Sequence, residues 1–536
     1  MESYRSKAME LEHLLQTLPT VDPSNLLRWV LLVGSTFAGY LVVRHKGLWM
    51  LEIIIHTIVS LLNPGVLSRG KPISGPQWTV PNGQVIDKLL NGMAKSAEWK
   101  KYGPVYRIWA GHHPEIVITT PEDLKVFHSD SDKHGKPRFQ NLGWFVGQVL
   151  GRCVGLLEGE EWKHRRTIFE PPFRHAASIA RMDITESEAK KFVLNLGQLA
   201  AAEEVADDIG VNSSKNTPRK FTLHAVSAFM KFPFYLTAGV VYGDMSEAEE
   251  VELWDLAQKH MALLPYFVIG GPYRVAAGKY VDRKAFRKLD EFVNGWRECH
   301  ERMVATRRAK GIRVPLVEYW EEYEAGKITL DELLHTMDEM LMANLDVTTH
   351  VLTWCITLIA DHEDVQRELQ EEIAANKSNL NEYLARNDTH LHRCFYESLR
   401  LRPLAVFSIG ESAPSAKNFH GILVKPNTMV VVDVLAINVR NPFWGPDSES
   451  FNPSRFKTIK QSDLRYNLTV FGFGHRKCLG QHFGTHLIKA VVAHLFDQYE
   501  VLVTDGRKAD GDYVIHKDSW VPMADVRVQL SKLSKD

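Results

Sequence analysis

The segment FGFGHRKCLG, from Phe471 to Gly480, decides how the chain is read. It sets a single cysteine, Cys478, behind a glycine-rich turn and just ahead of a run with helical pattern. The other cysteines, Cys153, Cys299, Cys355 and Cys394, are far apart, and the five form no CxxC pair. An odd, scattered set is neither a disulfide framework nor a zinc site, and it fits a reducing compartment. A lone cysteine is by default an inert, buried, small hydrophobe. Cys478 differs in its company. Gly474 permits a tight turn that aims the sulfur, and Phe471 can shield the sulfur from water. Arg476 can pair with a carboxylate. Gly480 lets the next helix approach closely, with its N-terminal N–H groups softening a thiolate charge.

Three further groups precede this loop. Trp162 and Arg166 lie four apart in a W-x-x-x-R pattern. Glu397 and Arg400 sit three apart on a predicted helix, a spacing that alone is usually an ordinary surface pair. Some way on, FNPSRF (Phe451–Phe456) places Arg455 after Trp444, Gly445 and Asp447.

Taken together, these residues resemble the cytochrome P450 superfamily. Its haem-binding loop F-x-x-G-x-R-x-C-x-G is matched at all five fixed positions, and its W-x-x-x-R, E-x-x-R and P-E-R-F regions follow in family order, with Ser454 in place of the usual glutamate. The resemblance runs from about Pro76 to the C-terminus. It implies a mainly α fold with minor β, a haem b with Cys478 as axial thiolate, and Arg476, Phe471, Trp162 and Arg166 around the haem. The thiolate's electron donation favours O–O cleavage on the opposite haem face. Glu397, Arg400 and Arg455 are the implied buried network locking a helix to the haem loop, with a desolvation cost that only good geometry offsets. The implied activity is monooxygenation of a small-molecule substrate, with electrons from NADPH through NADPH-cytochrome P450 reductase.

One departure matters. The longest predicted helix starts at a capping box of Thr329 and Glu332 and runs to about Ala360. Where the family carries A/G-G-x-D/E-T-T/S, this chain has Ala343-Asn344-Leu345-Asp346-Val347-Thr348-Thr349. Asp346 aligns with the acid, and Val347 takes the place of the usual threonine. Thr348 follows about 100° further round the helix and cannot simply replace the missing hydroxyl. Asp346, Asn344 and Thr348 are therefore the candidates for proton handling, through a held water or a group of the substrate. A packing substitution at Val347 is the bland alternative. A haem-dependent isomerase, dehydratase or ring-rearranging enzyme is the alternative function. The run ANLDVTTHVLTW (residues 343–354) resembles P450s of fungal secondary metabolism, notably those tailoring cyclic dipeptides in epipolythiodioxopiperazine pathways. That implies a small substrate bearing aromatic rings. Phe139, Trp144, Phe145 and Val347 are the expected pocket residues, with hydrophobic core as the competing reading of the aromatics.

Composition sets the frame. Hydrophobic residues make up 45% and charged residues 24%, as in packed globular proteins. A net charge of -1 without a long basic run gives no basis for a nucleic-acid partner. Residues 1–25 form an N-terminal segment. Leu26–Val43 is apolar apart from Arg28, and Arg44, His45 and Lys46 come directly after it. Residues 26–46 thus read as a single transmembrane anchor in membrane lipid, with the rest of the chain in the cytosol and the endoplasmic reticulum membrane as the location. Residues 47–83 read as an interfacial helix, Leu48–Leu62, and a Pro/Gly hinge, with Glu52 and His56 on one helical face; a second membrane span is the alternative reading of Leu48–Leu62. Residues 84–536 are the haem-binding catalytic domain. Within it, Val105–Trp109, Glu115–Thr119 and Thr428–Val432 read as strands, Glu204–Lys220 as a surface loop, and Leu264–Tyr280 as an aromatic-rich loop needing a partner surface. Lys477, Lys163, His164 and Arg165 are expected on the face that meets the reductase.

Overall fold

The computed structural model describes residues 47–63, 67–136, 143–207, 219–517, 519 and 521–534. The anchor expected at 26–46 and the pocket residue Phe139 lie outside them. The chain divides into two compact units. The smaller contains helix α1 (Leu48–Leu62) and Gln77–Val80. Within it the Trp78 and Val80 amides donate to His56 Nδ1 (3.2 Å) and Glu52 Oε1 (3.0 Å), so the polar face of α1 holds chain rather than water. Its apolar face leaves Trp49, Leu51, Ile54 and Ile58 exposed. Among the described helices, the one with the length and hydropathy to cross a membrane is Ala225–Tyr242, and 61% of it is buried.

The larger unit is mainly α, with its β content chiefly in two small sheets. Strand β1 (Val105–Ala110) pairs antiparallel with β2 (His113–Ile118), as the alternating apolar pattern predicts to within two residues. Helices α2 (Trp144–Leu150) and α3 (Gly159–Phe169) follow. A strand not foreseen, β3 (Lys220–His224), leads into α4 (Ala225–Tyr242) and α5 (Glu247–Met261). The central helix is α6 (Leu330–Ala360), and its Thr329/Glu332 capping box is present in both directions. Leu333, Met337, Leu341, Leu352 and Ile356 recur at helical spacing and are buried, so α6 is enclosed by its neighbours rather than lying at the surface. Helix α7 (His390–Leu401) packs on it. Strand β4 (Glu411–Ser412) and β5 (Met429–Val432) complete the first sheet in the order β1-β2-β5-β4, with β2 and β5 parallel. After the cysteine loop come α8 (Gln481–Gln498) and strands β6 (Tyr499–Asp505) and β7 (Arg527–Lys532); β7 pairs with both β6 and β3.

Two sequence expectations are corrected. Leu264–Tyr280 is not a loop: it forms a helix over Leu264–Ile269 and two 3-10 turns, Gly271–Arg274 and Ala276–Tyr280. Its glycines and Pro272 broke the periodicity by which a helix is read. Its aromatic residues do have their partner surface, since Tyr266, Phe267 and Tyr273 ring Phe145. Glu204–Lys220 is not loop throughout, because a helix continues to Asp207 and Lys220 opens β3. There the polar composition hid the end of a helix.

Candidate active site

The cysteine loop is built by its own backbone. The Cys478 amide donates to the Phe471 carbonyl at 2.9 Å, closing the segment into a narrow hairpin-like turn. Gly474 makes it possible, with φ +61°, and a Cβ there would lie 2.6 Å from Ser131 Oγ. Gly480 caps α8. Burial pushes the Cys478 thiol up, while the amides of Gly480 and Gln481 pull it back down. Cys478 is exposed. The other four cysteines are buried.

Two strong contacts tie α3 and the chain before it to this loop. Arg476 Nη2 donates to the carbonyls of Leu157 (2.6 Å) and Gly155 (3.4 Å), and its guanidinium sits 4.6 Å over the ring of Trp162. Arg166 Nη1 donates to the Lys477 carbonyl at 3.2 Å, and its Nε binds Glu170 at 2.7 Å. Arg476 Nη1 is buried without a partner among the described residues. A buried guanidinium nitrogen left unpaired is costly, and an anion beside the cysteine would satisfy it.

Below the loop, Glu397 is the hub of a buried network. Its carboxylate accepts from Arg400 Nε (2.7 Å) and Nη2 (2.9 Å), and from Arg455 Nε (2.8 Å). Arg400 also donates to the carbonyls of Asn438 (2.9 Å) and Ser448 (2.7 Å), and Arg455 to Asp447 Oδ2 (3.1 Å). The pair three apart on α7 is thus fully buried, unlike most pairs at that spacing.

A cavity of about 830 Å³ lies against α6. Most of its wall is apolar, from Val146 and Leu150 of α2, Leu156, Phe267, Leu404–Ile409, Ile515 and Val521. Its α6 wall is Glu339, His350 and Trp354. Asp346, Val347 and Thr348 are not among its lining residues. Asp346 Oδ2 accepts from Ser519 Oγ at 2.9 Å, Thr348 is buried, and Val347 is half-buried. Thr349 is spent on the Leu345 carbonyl (2.7 Å). Asn344 lies within α6, with its side chain outside the description. Phe145 and Trp144 also sit behind the wall. Phe145 is 1% exposed in a cage of aromatic rings, and Trp144 stacks on Phe286 at 5.3 Å. Sequence reading missed Glu339, His260, Arg274 and the Leu404–Ile409 segment, all lining the cavity. No local motif marks them, because each reaches the cavity only through tertiary packing. Of the cations expected on the reductase face, Lys477 and Lys163 are exposed, whereas Arg165 is drawn to Glu332 at 3.1 Å.

An accessible cysteine on a glycine-held turn, a buried guanidinium nitrogen without a partner among the described residues two positions before it, and a large, mostly apolar cavity against α6 are a set of residues that fits a haem. The family model "Cytochrome P450" matches residues 75–513. Cytochrome P450 monooxygenase hasH of Aspergillus fumigatus is 38% identical over 498 residues, covering 90% of this chain and 89% of that protein. Cytochrome P450 monooxygenase sirC of Leptosphaeria maculans is 38% identical over 465 residues, covering 87% and 89%. Cytochrome P450 monooxygenase gliC of Aspergillus fumigatus is 34% identical over 497 residues, covering 91% and 94%. The chain belongs to the cytochrome P450 family, and it is a monooxygenase by class. Membership implies a haem iron held by a cysteine thiolate, a redox partner and a small-molecule substrate.

Proposed function

We propose that this protein oxidises a small, aromatic-bearing secondary metabolite, with cyclic dipeptides as the leading class, using O2 and electrons passed from NADPH by NADPH-cytochrome P450 reductase. One oxygen atom enters the substrate and the other leaves as water, with NADPH supplying two electrons. The observation that carries this reading is the large, mostly apolar cavity, whose wall includes Gly155, a residue bound through its carbonyl by Arg476 of the Cys478 loop. Its volume lies within the range of small-molecule sites. The resemblance of residues 343–354 to secondary-metabolism P450s supports the substrate class.

In this reading bound haem supplies the oxygen-activating iron, with Cys478 as its ligand and Arg476 as its propionate partner. Trp162 holds the Arg476 guanidinium in place, and Arg166 fixes the backbone at Lys477. Phe471, half-buried against the main core, limits water on the sulfur side. Asp346, beside Val347 on α6, accepts from Ser519 of the C-terminal segment, and in this reading that pair holds a water or proton in place of the missing threonine hydroxyl. Glu397, Arg400 and Arg455 keep α7 and the segment before the cysteine loop in register.

The test is turnover of the purified holoprotein with reductase and a cyclic dipeptide bearing aromatic side chains. Substrate-dependent NADPH consumption and a product heavier by one oxygen atom are expected. A product of unchanged mass, or lighter by one water, formed without NADPH would instead establish an isomerase or dehydratase.

We further propose that residues 26–46 anchor the protein once in the endoplasmic reticulum membrane, with the catalytic domain in the cytosol. Support comes from the apolar run and the Arg44, His45, Lys46 flank. Protease added to intact microsomes should digest the domain, and Asn212, Asn376, Asn387 and Asn467 should carry no glycan despite their N-x-S/T sequons. A protected or glycosylated domain would place it in the lumen.

A further inference from the structure

The cavity contains one acid that the protein leaves without a cation. Three carboxylates line it. Glu115 is paired with Lys88 at 2.8 Å, and Asp512 with Arg402 at 2.8 Å. Glu339, on α6, has no Lys, Arg or His within ion-pair distance among the described residues. Its Oε2 accepts from the Gly155 amide at 3.0 Å, and the Cys153 thiol donates to it as well. Burial pushes its carboxyl up, while Arg166 and Arg476 act on it from a distance in the opposite sense. Glu339 is half-buried and lines the cavity.

A carboxyl group accepts up to about four hydrogen bonds, and Gly155 and Cys153 leave part of that capacity directed at the cavity. The neighbouring wall, Val146, Leu150 and Leu156, offers no donor side chain. A ligand that fills the cavity strips water from Glu339. It must then supply a donor or leave the carboxyl unsatisfied, the condition under which a site rejects analogues lacking one polar group. Burial holds the Glu339 carboxyl up, and Arg166 and Arg476 oppose this only from a distance, so the mostly apolar wall around it suits a neutral N–H rather than a cation.

We infer that Glu339 is a substrate-binding residue that receives an amide N–H of the substrate. This rests on the proposed substrate class and gives it a contact: a cyclic dipeptide carries two ring amides, each able to present its N–H beside an aromatic side chain seated against the apolar wall.

The experiment uses the full-length holoprotein in detergent and two probes, the cyclic dipeptide of two phenylalanines and its doubly N-methylated form, titrated by the change in haem absorption. Wild type should bind the N–H probe about tenfold or more tightly than the N-methyl probe, the scale of leaving a buried polar group unsatisfied. Glu339→Leu should lose that discrimination while keeping haem content and the carbon-monoxide-bound spectrum. Glu339→Gln keeps a carbonyl acceptor and should retain binding of the N–H probe to within about threefold, a neutral acceptor forming the weaker hydrogen bond. Equal affinity of wild type for both probes overturns the assignment, as does discrimination that survives in Glu339→Leu. Equal loss in Glu339→Gln and Glu339→Leu overturns the amide reading in favour of recognition by charge. If neither probe perturbs wild type, the substrate class fails, and the contact falls with it; binding of both with no effect of Glu339 leaves the class standing and removes the contact alone.

Discussion

Replacing Cys478 by alanine abolishes the long-wavelength absorption of the reduced, carbon-monoxide-bound protein, and activity goes with it. The reasoning begins with access. Of the five cysteines, Cys478 alone is accessible, while Cys153, Cys299, Cys355 and Cys394 are buried. With those four enclosed by the core, none can reach an iron held at the Cys478 loop in compensation. The Cys478 turn is held by its own amide and by the positive φ of Gly474, neither of which depends on the sulfur. The variant should therefore keep its circular dichroism and lose only the spectrum and turnover, because the thiolate is what drives O–O cleavage in this class. The measurement is the reduced carbon-monoxide difference spectrum beside total protein. A band that persists at its usual position would move the ligand to another residue and undo the reading of the Phe471–Gly480 loop.

The same contrast between local and non-local information explains which parts of the molecule were legible from sequence. The Cys478 loop could be read because its geometry is local: glycine at Gly474, a backbone bond from Cys478 to Phe471, and a helix beginning after Gly480. The capping box of α6 was likewise legible, since Thr329 and Glu332 satisfy each other's backbone within four residues. Strands β1, β2 and β5 announced themselves through β-branched and apolar runs. By contrast, β3 was missed because it pairs with β7, some three hundred residues away, and its alternation is too short to read alone. The pocket shows the limit most plainly. Phe145 looks like a pocket aromatic by type and position, yet four other rings close around it and the smaller Val146 and Leu150 reach the cavity. Glu339 carries no motif at all. Its place in the cavity wall depends on Gly155, from the chain before α3, which brings its amide there with no cation beside it among the described residues.

Glu397→Ala should be the most damaging single change outside the cysteine loop. Arg400 is fully enclosed and Arg455 nearly so, and both aim at the Glu397 carboxylate. Removing it leaves two buried guanidinium groups facing each other's charge with fewer acceptors. Breaking a buried ion pair from one side costs about 3–5 kcal/mol, against a typical total stability of roughly 5–15 kcal/mol. The expected result is a large loss of haem-loaded protein and a lowered unfolding midpoint. Replacing an ion pair by apolar residues on both sides is often neutral, which makes the double variant Glu397→Leu with Arg400→Met informative. Here it should not recover, for a reason specific to this site. Arg400 also serves the carbonyls of Asn438 and Ser448, so its removal orphans one buried and one half-buried acceptor in the segments leading to the cysteine loop. Arg455 would in addition lose its inner carboxylate and keep the half-exposed Asp447 and the carbonyls of Trp444 and Ser450. Asp447→Ala, at the outer rim of the same network, should cost no more than about 1 kcal/mol, the range of exposed pairs. Haem content per protein and the midpoint of thermal unfolding, measured for all three variants, decide the matter. A double variant that regains wild-type haem content would show that the carbonyl contacts of Arg400 are dispensable, and that the network acts only through its charges.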